Sequence, residues 1–258
     1  MDCPAAVVEH LQAESRWNAG EQTWQPMGAV VGLRIRTERS SDPKQVGHMV
    51  AVAGMGLQGD THAHPLSPRQ VLVAGSDVYQ DLGLGPMTLR ENVLVDFGTE
   101  RLRSSTLLQI GPEIVLWLTF QCEACGHLEH RHPGVMKSIH GRRGVLARVL
   151  RGGRMSVGDE VRQCTSSIPP ISSVWQERIA GVLQHVPAGK RVEYRQLAHL
   201  AGVPKVYCRV FPKILSQLPP ALANRAQAGT VAQTDERWTG EGLFDVSTNI
   251  SGLTALNH

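Results

Sequence analysis

The chain has 258 residues, of which 41% are hydrophobic and 19% charged, with 26 Lys and Arg against 23 Asp and Glu. This is enough apolar material for a full core and enough length for two modest domains, which excludes a disordered chain or a disulfide-stapled miniprotein. The cysteines, Cys3, Cys122, Cys125, Cys164 and Cys208, are odd in number and scattered apart from one pair. With no basic n-region at Met1 to Pro4 and no apolar run of membrane-spanning length, a reducing, cytoplasmic setting without membrane contact is expected.

Charge is distributed unevenly. Residues 1–170 balance 17 basic against 17 acidic side chains, so the whole formal excess of +3 falls in the last third. There Arg178, Lys190, Arg191, Arg195, Lys205, Arg209, Lys213 and Arg225 face only Glu177 and Glu193 over residues 171–232. Such a basic module suits a polyanionic partner, although a solvated face gives the same pattern.

In chain order, Val7 to Trp17 reads as a short amphipathic helix and Gly28 to Arg36 as a strand. The segment Gly54-Met55-Gly56-Leu57-Gln58-Gly59-Asp60-Thr61-His62-Ala63-His64 is rich in glycine, which lets backbone approach a ligand, and it ends in Asp60 and two histidines. Its spacing is not that of a phosphate loop. His62 and His64 would share one face of a strand, as metal ligands do, or serve as ordinary loop residues. Arg69 to Ala74 is a strand, and Ser76 to Leu82 a short helix with Ser76 at its N-cap. In Leu89-Arg90-Glu91-Asn92-Val93, Arg90 and Asn92 suit an anionic ligand, and a salt bridge with turn capping explains them equally.

Glu113 to Phe120 is an apolar, β-branched and aromatic run after the Gly111-Pro112 turn, hence a strand. It stops at Gln121-Cys122-Glu123-Ala124-Cys125-Gly126-His127-Leu128. Cysteines at a strand end suit a soft nucleophile or a metal ligand, and they suit a buried packing pair just as well. Gly134 to His140 is helical, Gly141 to Gly144 a basic turn and Val145 to Leu150 a strand, with further turns at Gly152-Gly153 and Val157 to Glu160. Many short strands at turn spacing imply a compact, mostly β domain.

The blocks GLQGDTHA, RQVLV, LRENV, LLQIG, QCEACGHLE and GRRGVLARVLRGGRMSVGD together resemble the MOSC domain, named for the C-terminal part of molybdenum-cofactor sulfurases, over residues 27–162. The resemblance implies a β-rich, barrel-like fold with a few helices, and a cysteine that carries sulfur or contacts the molybdenum cofactor. Cys125 occupies the family's cysteine position and is the expected metal ligand and catalytic thiol, with Cys122 accessory to it. By the same matching Gly59, Asp60, His62, Arg69, Glu91 and Asn92 are pocket residues, while Arg142, Arg143 and Arg148 meet the cofactor's phosphate or pterin; His127, two residues after Cys125, is expected at the cofactor site as a source of positive charge for the thiolate. Thr61 stands where the family commonly has a basic residue. The 26 residues before Met27 form an N-terminal extension too short for the family's associated β domain. Family members with this domain alone are linked to reduction of N-hydroxylated compounds, which implies a redox partner. No lysine motif for a pyridoxal phosphate Schiff base is present.

Residues 163–173, rich in Ser and Pro, read as a linker. Val174 to Val186 has helical spacing of apolar residues and ends at Pro187-Ala188-Gly189; Tyr194 to Leu200 is a second helix, Ala201-Gly202-Val203 a turn, and Lys205 to Leu218 a third helix. This is the pattern of a helix-turn-helix, and also of a plain three-helix module. Pro212 is out of place inside a continuous third helix.

VLQHVPAGKRVEYRQLAHLAGVPKVYCRV is similar to the DNA-binding part of alkylguanine-DNA alkyltransferases, a small winged-helix-like unit here spanning residues 174–238, with a tail over 239–258. Tyr194 and Arg209 match that family's base-flipping tyrosine and intercalating arginine; Arg195, Lys205 and Lys213 are the accompanying DNA contacts. Leu222-Ala223-Asn224-Arg225 replaces the family's active-site motif, with alanine for the nucleophile. The resemblance therefore implies double-stranded DNA binding through residues 174–225 without alkyl transfer. Two readings result: a cofactor-dependent reductase or sulfur carrier brought to DNA, or a non-catalytic DNA-damage recognition protein with a remnant or sensor MOSC domain.

Overall fold

The computed structural model describes residues 24–38, 41–123, 126–139, 141–166, 168–229 and 236–246. The expected helix over 7–17 and Cys125, the expected catalytic thiol, lie outside these residues, as do the side chain of His127 and the end of the tail.

The strands in the first two thirds are β1 (Gln25–Ile35), β2 (Lys44–Val46), β3 (His48–Val52), β4 (Gly56–Leu57), β5 (Val71–Gly75), β6 (Val93–Val95), β7 (Thr106–Ile110), β8 (Ile114–Gln121), β9 (Val145–Arg151), β10 (Gly153–Ser156) and β11 (Glu160–Thr165). Between them lie three short helices, α1 (Asp77–Asp81), α2 (Gly126–Arg131) and α3 (Val135–Ser138). Strands β11, β7, β8, β9, β5, β6 and β1 pair in that order, and β1 returns to β11, so seven strands close a barrel. Closure leaves the barrel without an open edge.

One long strand makes the closure possible. The first half of β1 pairs with β11 and its second half with β6 and then β2, with register shifts between Pro26 and Gly28 and between Val30 and Gly32. A shift inserts an extra residue and bends the strand. At Gly28, φ is 154° and a Cβ would sit 2.0 Å from Asp96 Oδ1, which accepts the Ala29 N–H at 2.8 Å. Only glycine fits beneath that carboxylate.

β8 shows why its sequence does not alternate. Ile114, Leu116 and Leu118 point into the barrel core with Val73, Val93, Val149 and Val161. Val115 and Trp117 point outward, where Leu107, Cys164 and Ile168 with the later residue Phe244 cover them. Both faces are buried, so both positions of the period-two repeat are apolar. A second sheet, β10-β3-β4, flanks the barrel.

The last third forms α4 (Trp175–His185), β12 (Val192–Glu193), α5 (Tyr194–Leu200), a 3-10 segment (Lys205–Val210), α6 (Phe211–Leu215), α7 (Pro220–Ala223) and β13 (Ala226–Gln227), with β12 and β13 parallel. Ile179, Leu183, Val192, Leu197, Phe211 and Trp238 form its core. α4 and α5 fall on the expected spans within one residue. The third helix differs: it divides into the 3-10 segment and α6, and Pro212 falls in the first turn of α6. An amide N–H there would have no helical partner, so proline costs nothing and marks the division. Among the described residues no helix is long and apolar enough to cross a membrane.

Candidate functional site around Cys122

Cys122 lies one residue beyond β8. Its N–H donates to the Gly144 carbonyl at 2.8 Å, which pins the strand end to the turn before β9. The side chain is buried in an apolar cluster with Leu72, Phe120 and Leu146. On its polar side, Arg69 Nη2 stands 3.8 Å from Sγ. The guanidinium places a fixed positive group beside the sulfur.

Arg69 is held from the helical unit. Its Nη1 donates to the Gly202 carbonyl at 3.1 Å, in the turn after α5. A second arginine reaches the same place from α4. Arg178 is buried; Nε donates to the Ala201 carbonyl at 2.9 Å, Nη1 to the Ser173 carbonyl at 2.9 Å, and Nη2 pairs with Glu123 at 3.4 Å. Its guanidinium stacks 3.9 Å from the centroid of the Phe120 ring. Burial pushes the Arg178 pKa down, while Glu123 and the nearby Cys122 oppose that shift. The thiol thus sits between two arginines, one from the barrel and one from the helical unit.

The other pocket residues expected from the sequence form a separate network inside the barrel wall. Glu91, fully buried, pairs with Arg34 and accepts the Tyr79 hydroxyl at 2.6 Å. Asn92 receives the Leu72 N–H at 3.0 Å and donates to the Arg34 carbonyl at 3.2 Å and to Asp60 Oδ2 at 2.9 Å. Burial alone would raise the Asp60 pKa, but hydrogen bonds from the His62 ring, His62 N–H and Arg36 N–H hold it below the usual carboxylate value. Gly59 precedes this carboxylate, and His62 also meets Arg36. These groups tie β1, β5 and the loop after β4 together.

The basic candidates are likewise engaged. Arg142 bridges Asp77 and Asp81 at 2.6 Å each, Arg143 donates to the Glu123 carbonyl at 2.6 Å, and Arg148 donates to the Ser67 carbonyl at 2.6 Å and lies 4.0 Å from the Phe244 ring centroid. Arg143 is the one of the three that touches the cysteine loop. Among the described residues no cluster of His, Cys, Asp or Glu is arranged to hold a metal ion.

In the helical unit, Arg195, Lys205, Arg209 and Lys213 are exposed. Arg195 and Lys205 both lie close enough to Cys208 to oppose the burial that raises its thiol pKa. Tyr194 packs edge-on against Phe211, with ring centroids 5.4 Å apart, and burial raises its pKa. Ala223 packs against the core at the end of α7.

Sequence reasoning missed Arg178, Arg34 and Tyr79. A signal existed for Arg178: it falls within the apolar stripe Trp175, Ile179, Val182, Val186 of an amphipathic helix, where a charge must be buried and therefore needs partners. Arg34 and Tyr79 are 57 and 12 residues from Glu91, and no local pattern joins them.

A closed, β-rich barrel with few helices and a thiol at one strand end is the class of protein that fold and site define. Residues 64–162 match the family model for the MOSC domain, from the loop before β5 into β11. That family is associated with the molybdenum cofactor. Among solved structures, the YUAD protein from Bacillus subtilis is 20% identical, the match covering 56% of this chain and 100% of that one with a TM-score of 0.47. YiiM from Escherichia coli is 18% identical over 75% of this chain and 95% of that one, TM-score 0.44. YiiM from Geobacillus stearothermophilus is 16% identical over 74% and 99%, TM-score 0.43. No curated protein matches the chain.

Proposed function

We propose that the barrel binds molybdenum cofactor through the cysteine loop 122–125 and uses it to handle sulfur or to reduce N-hydroxylated compounds, with electrons from a redox partner. The observation that carries this reading is Arg69 Nη2 at 3.8 Å from Cys122 Sγ, beside the loop that bears Cys125. Cysteine sulfur is a soft ligand, and a fixed guanidinium beside it suits an anionic cofactor. When bound, the cofactor supplies two-electron redox chemistry or a sulfur acceptor. The chain's own part is to ligate through Cys125, to hold Cys122 beside Arg69, and to hold the anionic tail of the cofactor near Arg143.

Replacing each cysteine with serine and measuring bound molybdenum together with reduction of an N-hydroxylated amidine tests this. Loss at Cys125→Ser with partial retention at Cys122→Ser is expected. Full retention in both variants overturns it, and loss only at Cys122→Ser exchanges their roles.

A second reading rests on a separate observation. Arg195, Lys205, Arg209 and Lys213 are exposed and form no ion pair with described residues, and Val206 and Val210 are exposed beside Arg209. Free cations beside apolar wedges suit insertion into double-stranded DNA. Residues 174–225 then bind DNA without alkyl transfer, because Ala223 supplies no nucleophile. Fluorescence anisotropy with plain and alkylguanine-bearing duplexes should show binding that falls steeply with salt and weakens by about 1–3 kcal/mol in Arg209→Ala. Absent or salt-independent binding removes this role, as does transfer of the alkyl group to Cys208.

A further inference from the structure

A cavity of about 550 Å³ opens between the outer face of the barrel, α4, and residues Gly242 to Phe244. Its walls are apolar and aromatic and include Trp117 from β8, Val182, Leu243 and Phe244. That volume and character fall in the range of about 300–1,000 Å³ typical of small-molecule sites, which favour boundaries between domains.

One wall carries an unusual residue. Gly181 lies in the middle of α4 and lines the cavity, and a Cβ added to it would meet nothing within 4 Å. A helix-interior glycine is unfavourable relative to alanine, so it calls for a reason. No neighbour in the protein crowds the position. The absence of a side chain instead keeps the helix wall flat beside an open volume, as a planar occupant requires.

The polar groups decide its charge. Arg178 also lines the cavity, but its donors are spent on Ala201, Ser172, Ser173 and Glu123, so it has little left for an anion. Glu177 accepts the Ser172 hydroxyl through Oε2 at 2.6 Å, which leaves Oε1 to a ligand. His185 Nδ1 lies 2.8 Å from the Gly181 carbonyl; donating there presents Nε2 as an acceptor. Glu177, Gly181 and His185 are four residues apart and share one helix face. The polar side of the cavity therefore accepts hydrogen bonds and carries negative charge.

We propose that this cavity binds a planar, largely apolar molecule of one or two fused rings that carries a cationic or hydrogen-donating nitrogen at one edge. The rings lie along Gly181 against Phe244, which packs edge-on over Trp117 with ring centroids 6.4 Å apart, and the nitrogen meets Glu177 and His185. Nothing in this depends on the cofactor proposed for the barrel.

The test uses two probes of similar shape, aminoquinoline and naphthoate, titrated into the full-length protein by calorimetry and by quenching of tryptophan fluorescence. Aminoquinoline should saturate and bind at least about tenfold more tightly, because only it gives a charge-assisted hydrogen bond to Glu177. Glu177→Gln should remove most of that preference while leaving naphthoate unchanged. Gly181→Leu should abolish binding of both; Gly181→Ala, which helical propensity favours, serves as the folded control and should weaken binding less. Equal affinities, absence of saturation, or binding indifferent to both Glu177→Gln and Gly181→Leu overturns the proposal.

Discussion

The guanidinium of Arg178 on α4 stacks 3.9 Å from the centroid of the Phe120 ring on β8, the barrel strand that leads to Cys122. Because Arg178 also holds three carbonyls and Glu123, it joins the helical unit to the barrel through a buried side chain. Replacing it with Met keeps the stem but orphans buried acceptors, at about 1–3 kcal/mol for each group that water cannot reach. Arg178→Met should therefore lower the unfolding free energy by about 3 kcal/mol in urea. Arg209→Ala, at an exposed position, should stay within about 0.5 kcal/mol. Equal effects of the two would mean that the stacked arginine contributes no more than a surface cation.

The Arg34–Glu91 pair makes a similar demand deeper in the wall. Glu91 is fully buried and shared between Arg34 and the Tyr79 hydroxyl, whose pKa is raised by burial first and by the Glu91 charge second. Glu91→Ala leaves a guanidinium uncompensated in the interior, which costs about 3–5 kcal/mol. Tyr79→Phe removes one charge-assisted hydrogen bond and should cost about 1.5–3 kcal/mol. Denaturant midpoints check the order. A milder effect for Glu91→Ala than for Tyr79→Phe would show that the network's charge is screened by water after all.

The residues that were legible in the sequence are those with a local pattern. The apolar run of β8 marks a strand, though it does not show that both its faces are buried, and the spacing of α4 and α5 marks two helices. Barrel closure was not written in any one segment. It depends on the bend in β1 and on β11 pairing with it from the far end of the domain, so only the resemblance of several ordered blocks suggested it. The same distinction holds at the site. Glu91, Asn92 and Asp60 stood out as polar residues beside apolar runs, yet their partners come from β1 and its following loop, and the network is visible only after folding.

His64 gives the chain a pH-dependent contact between its two parts. His64 Nδ1 accepts the Leu66 N–H at 3.1 Å and lies 3.0 Å from His199 Nε2 on α5. Burial, and then the charge of Arg148, lower its pKa from the ordinary 6.5. The unfolded chain therefore binds a proton more readily than the folded one, so stability rises with pH in this range. The contribution is complete above about pH 6.5 and is lost as pH falls toward the lowered folded value. Protection factors of the α5 amides, taken against the intrinsic exchange rate at each pH, should fall on acidification through this window, and His64→Gln should flatten the dependence. An unchanged pH profile in His64→Gln would assign the effect to another group.

Gly202 decides how closely the helical unit can approach the cysteine loop. It adopts φ +64° in the turn after α5, and an added Cβ would lie 2.8 Å from Phe120 Cζ and 2.9 Å from Pro68 Cγ, both on the barrel. Its carbonyl accepts the hydrogen bond from Arg69 Nη1, and Arg69 is the residue that faces the Cys122 sulfur. Gly202→Ala meets two penalties, the left-handed backbone at about 1 kcal/mol and a steric overlap at about 1–3 kcal/mol that only a shift of the two parts relieves. A loss of about 2–3 kcal/mol in stability is expected. The shift should also reach the site. With Arg69 and the helical unit displaced, the buried Cys122 opens to solvent, and its alkylation by iodoacetamide at fixed pH should speed up, provided Cys125 is replaced by serine to leave one reporting thiol in the loop. Gly181→Ala supplies the comparison, because it alters a glycine of the same unit away from Arg69. If Gly202→Ala destabilises the protein but leaves the alkylation rate of Cys122 where it was, then Arg69 keeps its place without the Gly202 carbonyl, and the helical unit does not shield the thiol.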